Sequence, residues 1–122
     1  MDIKTAIATI QRMKPSPYGE AMLTEWLSEL DGQLFDTVFT DREEAPENNT
    51  PYKAVEDADV VLVVPFPYDQ IYIYWLSAKI DFANGETDRY ANSMAMYNSY
   101  HESFVSSWAR AHASTSTREI MI

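Results

Sequence analysis

Asp69-Gln-Ile-Tyr-Ile-Tyr-Trp-Leu-Ser-Ala-Lys-Ile-Asp-Phe-Ala-Asn84 is the stretch on which the fold turns. At about 100° per residue, Ile71, Trp75, Ala78 and Phe82 share one face of a helix, and Ile73, Leu76 and Ile80 share the opposite face. A helix that is apolar on both sides needs cover on both sides. One cover is expected from the chain's own helices and the second from another copy of the chain. Tyr72, Ile73, Leu76 and Ile80, with Tyr100 further on, are therefore the expected subunit interface. That expectation favours an assembly component over an enzyme.

The flanks give the neighbouring elements. Upstream, Val60-Val-Leu-Val-Val64 is β-branched and stopped by Pro65, which predicts a short buried strand or extended linker. Its lack of alternation implies cover on both faces, with a partner drawn from residues near 52–56 or from another subunit. Downstream, Asn84-Gly85 suits a helix C-terminus closed by a left-handed residue. Glu86, Thr87 and Asp88 then place negative charge at the positive end of a new helix. Tyr90, Met94, Tyr97, His101, Phe104 and Trp108 recur at spacings of four and three, a narrow seam that predicts an antiparallel helix hairpin. After His112 the period is lost, and residues 113–122 read as a tail, polar first and apolar last.

The N-terminal half adds two helices. Ile3, Ala6, Ile7, Ile10 and Met13 lie at helical spacing over Asp2 to Lys14, with Asp2 at the capping position, and Pro15-Ser-Pro-Tyr-Gly19 breaks the helix. From about Glu20 to Thr40, Leu23, Trp26, Leu27, Leu30, Leu34 and Val38 form one broad stripe opposite Glu25, Glu29 and Asp36. Gly32 within it predicts a kink or a close approach. Residues 41–59 read as an acidic, proline-punctuated surface loop. The fold class expected is mainly α: a bundle of about four helices with a C-terminal hairpin and a short extended segment, in one domain over 1–112.

Composition narrows the function classes. With 122 residues, 46% of them hydrophobic, the chain can build a modest core. No cysteine is present, so disulfides, thiolate zinc and thiol catalysis are excluded. No run reaches the roughly 18 apolar residues of a membrane span, so no membrane role is expected. The opening Met1-Asp-Ile-Lys-Thr-Ala6 lacks the pattern of a secretory signal, which predicts synthesis in a cytoplasm. His101 and His112 stand eleven residues apart, outside metal-binding helical spacing. Asp41, Glu43, Glu44 and Glu47 lack the ligand order of a calcium loop. Gly19, Gly32 and Gly85 form no phosphate loop. No catalytic residue, metal site or cofactor is expected. The net charge is −10, and residues 15–59 alone carry that amount, the sign opposite to a duplex-binding surface.

Several motifs together resemble a known group. They are Pro15-x-Pro-Tyr18, Trp26-Leu-Ser-Glu-Leu-Asp-Gly32, Val64-Pro-Phe-Pro-Tyr-Asp69 leading into Ile71-Tyr72, Ile80-Asp81-x-x-Asn84-Gly-Glu86, and Arg89-Tyr90-x-Asn-Ser93. Met94, Tyr97, Tyr100, Phe104 and Trp108 complete the set. Over about residues 14–112 the chain is similar to the head–tail connector, or head-completion adaptor, proteins of tailed bacteriophages. Loop 41–51 and the tail lie outside the likeness.

The resemblance implies a virion protein of the neck, at the portal vertex, made in the bacterial host cytoplasm. It implies a homo-oligomeric ring, commonly of about twelve copies, docked on the portal protein and presenting a platform to the next neck or tail protein. DNA would pass through the channel without sequence-specific binding. Glu25, Glu29, Asp36, Glu43 and Glu44 are the acidic candidates for lining that channel, where they would repel passing DNA. Ile120, Met121 and Ile122 are candidates for anchoring the tail to the portal. The rival expectation is a small acidic DNA mimic that blocks a basic site on a host nucleic-acid enzyme.

Overall fold

The computed structural model describes residues 1–40 and 45–121, with side chains over 1–40 and 45–112. Helix α1 spans Ile3–Met13, α2 Glu20–Thr37, α3 Ile71–Ala83 and α4 Thr87–Met121; a single 3-10 turn, Tyr68–Gln70, leads into α3. The mainly helical bundle expected from periodicity is what forms, and no strand occurs among the described residues.

Contacts at the helix ends set the directions. At one end, here the base, the Met1 amino group lies 3.6 Å from Asp69, just before α3, and Ile3 N donates to Val60 O at 3.0 Å. At the other end, the tip, Lys14 Nζ meets Asp81 Oδ1 at 2.6 Å and Tyr18 Oη donates to Asn84 Oδ1 at 2.9 Å. Helices α1 and α3 therefore run base to tip. Helices α2 and α4 run back, and Phe39 after α2 meets Phe104 and Trp108 of α4 at 5.9 and 4.8 Å between ring centroids.

Local signals explain the boundaries. Asp2 Oδ1 accepts from Thr5 N at 2.8 Å and caps α1, and α1 ends ahead of Pro15. Helix α2 closes at Thr37, three residues earlier than expected, where Val38 N and Phe39 N both donate to Leu34 O. Gly32 faces open space, so the close approach expected there does not occur. Helix α3 ends in a Schellman motif: Gly85 N donates to Phe82 O at 3.1 Å and Glu86 N to Asp81 O at 2.9 Å. Gly85 has φ +72°, and a Cβ there would meet no atom within 4 Å. Gly85→Ala should therefore cost only the left-handed backbone penalty, about 1 kcal/mol, read from urea denaturation midpoints.

Three sequence expectations need correction. First, α3 is the central helix, packed on α1, α2 and α4 of its own chain. Tyr72, Ile73, Leu76 and Ile80 are all buried inside this bundle, so they are core residues and cannot form a subunit interface. Three surrounding helices and the residues leading into α3 supply the second cover that seemed to demand another copy. Tyr100 is half-buried and stacks on Tyr74, with centroids 5.5 Å apart. Secondly, Val60–Val64 is an extended connector, paired with the N-terminus rather than with residues 52–56. Leu62 N donates to Met1 O at 2.9 Å, and an isolated antiparallel bridge joins Asp2 to Val61. Leu62 and Val64 are buried while Val61 is exposed, so one face is open. Thirdly, α4 continues past His112 to Met121, so the tail is helical for most of its length. At 1.5 Å per residue α4 is about 52 Å long.

Candidate functional site

Two buried polar centres hold the bundle in register. On α2, Asp31 lies within the apolar stripe and is fully buried. It accepts hydrogen bonds from Tyr52 Oη and Tyr72 Oη, each at 2.6 Å, and from Val63 N at 3.3 Å. Tyr72 Oη in turn accepts from Val64 N at 2.8 Å, and Ser28 Oγ accepts from Tyr52 N at 2.9 Å. The knot thus ties α2 and α3 to the connector between them. Burial pushes the Asp31 carboxyl above its usual range, against the pull of its donors. Burial, then the Asp31 charge, also raises both phenols, so they remain donors.

The second centre is nearer the tip. Asp81 is fully buried, bound by Lys14 at 2.6 Å and by Ser93 Oγ at 2.9 Å, and Ser93 also pairs with Ser77 at 2.9 Å. It joins α1, α3 and α4. Sequence reading missed both centres because it placed acids in solvent. The available signal was position: Asp31 falls among Leu27, Leu30 and Leu34 on the helical wheel.

The surface carries the groups available to partners. On the flank of the α3–α4 hairpin, Trp75, Ala78, Lys79, Phe82, Tyr90 and Met94 line a groove of about 300 Å³. Lys79 Nζ sits 4.7 Å from the Trp75 ring centroid and 3.0 Å from Glu29 Oε1 at its rim. Across Phe82, a second hollow of about 290 Å³ runs along Asp81, Gly85, Glu86, Thr87 and Tyr90. The two-faced helix is therefore well covered on its Ile73–Ile80 face and opens only where the Ile71–Phe82 face reaches the tip. Phe82 itself is 70% exposed. At the base, Val55, Val61 and Phe66 are also exposed, Phe66 at 85% between Pro65 and Pro67. Val55 has φ 69°, a backbone state costly for a β-branched residue, and its side chain faces out.

The other predicted residues are scattered. Glu25, Glu29 and Asp36 lie on the exposed side of α2, with Glu29 partly neutralised by Lys79. Glu25 and Glu29 also border a hollow of about 420 Å³ with Ala21, Ser28, Thr50, Pro51 and Tyr52. Glu43, Glu44 and Ile122 lie outside the described residues, as do the side chains of Ile120 and Met121. His101 packs beside Tyr97, and His112 stacks on Trp108 with centroids 3.9 Å apart, its Nδ1 2.7 Å from Trp108 O. No group of three metal-binding side chains occurs among the described residues, and no described helix is long and apolar enough to cross a membrane. Comparison with family models, curated proteins and solved structures found no match.

Proposed function

We propose that this chain is a head–tail connector subunit of a tailed bacteriophage. It is a non-enzymatic adaptor that forms a ring on the portal, extends the DNA channel and joins head to tail. The observation that carries this reading is the placement of exposed apolar side chains at both ends of a helical bundle whose own core is complete. Val55, Val61 and Phe66 stand at the base; Met13, Met22 and Phe82 stand at the tip. A body that is closed within and adhesive at two separate places suits repeated head-to-tail association, which closes into a ring when the rotation between copies permits. The resemblance of the sequence motifs to those of connector proteins gives this association its setting.

The acidic charge suits the same role. About twelve copies would carry on the order of −120 charges, and the exposed Glu25 and Asp36 on α2 offer a wall that repels DNA. Native mass spectrometry and negative-stain imaging of the purified chain, alone and with its portal, test the reading. A ring of about twelve copies seated on the portal is the expected result. A monomer or dimer that ignores the portal and binds a host nucleic-acid enzyme would establish the DNA mimic instead.

A further inference from the structure

We infer that neighbouring copies join base to tip, with the Pro65-Phe66-Pro67 knob of one copy seated in the Trp75–Met94 groove of the next. The inference rests on the connector reading and names its subunit contact. Among the described residues, six of the seven large exposed apolar side chains fall into the base and tip groups; Met96, in the first third of α4, is the seventh. Pairing like ends would bury one group and leave the other in water. Pairing unlike ends covers both in a single interface.

The shapes agree with unlike ends. Phe66 projects on a turn closed by Tyr68 N donating to Pro65 O at 2.9 Å, and the flanking prolines fix φ on both sides of it. A ring so held loses little freedom on docking. The groove is lined by aromatic, methionine and lysine-stem carbon, and its length from Trp75 to Phe82 places the neighbour along the flank of the hairpin. At the base Glu56 and Asp59 are paired with Lys53 and Lys4, and at the tip and flank Arg89 and Lys79 are paired with Glu86 and Glu29, so the apolar groups rather than the charges select the ends. Together the six side chains offer on the order of 800 Å², about half of a standard specific interface, leaving the remainder to a polar rim.

The absence of cysteine makes the contact directly testable. Phe66→Asp and Phe82→Asp alter exposed residues, and unchanged circular-dichroism melts would show that each variant folds. Each variant alone should assemble at least tenfold more weakly than wild type by analytical ultracentrifugation, in the presence of portal if the free chain is monomeric. An equimolar mixture retains one intact knob and one intact groove, so it should stop at heterodimers. Chains carrying Phe66→Cys and Phe82→Cys, mixed and oxidised, should form the mixed disulfide in preference to either homodimer. Rings that persist in both Asp variants, or homodimeric disulfides that dominate, would overturn this contact while leaving the connector reading intact. Failure of wild type to assemble even on the portal would overturn both. An Asp variant that still forms rings but no longer captures the next neck protein would assign the groove to that protein instead.

Discussion

Asp31→Ala is expected to lower the unfolding free energy by about 3–5 kcal/mol, the largest single loss on α2. The substitution strands two phenol donors and one backbone N–H that reach Asp31 at 2.6, 2.6 and 3.3 Å, in a place water does not enter. The connector through Tyr52 and Val63 and the centre of α3 through Tyr72 lose a shared anchor at once. Asp31→Asn keeps an acceptor oxygen and should cost much less, about 1 kcal/mol. Urea denaturation of the two variants checks the order; an alanine variant within about 1 kcal/mol of wild type would mean that the knot is not a structural anchor.

The same residue makes stability depend on pH, and the sign is defined. Burial raises the folded carboxyl above its ordinary 3.8, so the native state keeps its proton longer than the unfolded chain does. The stabilisation from this site is complete below that ordinary value and is lost as pH rises through the raised folded value. Asp31→Asn removes the titration. Its stability relative to wild type should therefore improve as pH increases from about 4 towards neutrality, measured by paired urea titrations.

Lys14→Met is expected to cost about 2–3 kcal/mol, measured as a loss of thermal and urea stability. Asp81 is wholly enclosed, and without the ammonium at 2.6 Å it is left with Ser93 as its side-chain donor. The Lys14 side chain is 27% exposed, so part of the attraction is already screened, which keeps the figure below that of a fully buried pair. Adding Asp81→Leu should recover most of the loss, because the buried charge then disappears with its partner. A double variant no more stable than Lys14→Met alone would show that the stranded Asp81 charge is not the source of the loss.

Much of the fold was legible as pattern. The apolar period of α1, the Leu23–Leu34 stripe of α2, the seam from Tyr90 to Trp108 and the Asn84-Gly85 stop all follow from local chemistry, and each appears where its residues place it. Asp2 caps, and Pro15 breaks, for reasons confined to a few neighbouring residues. The long-range partners were not legible. Val60–Val64 meets the N-terminus, nearly sixty residues away, through backbone groups that any residue carries. Asp31 and Asp81 have the same formula as the surface acids around them, and only the approach of distant hydroxyls and an amine makes them interior groups.

Surface function divided in the same manner. The sequence identified α3 as having two apolar faces and identified Phe82 as part of one. It could not say how many of the chain's own helices would converge on them, because helix packing depends on the directions set by turns and long-range pairs. The bundle encloses Tyr72, Ile73, Leu76 and Ile80 and leaves Phe66 at the base and Phe82 at the tip exposed.

By itself, then, the order of residues determined which segments coil, where they stop, and the strong acidic bias of 15–59, since these depend on side-chain period, capping and charge within short windows. The tertiary structure alone decided which apolar and acidic side chains are enclosed and which are left outside. Burial belongs to the whole set of neighbours, and those neighbours are brought together only when all four helices have docked.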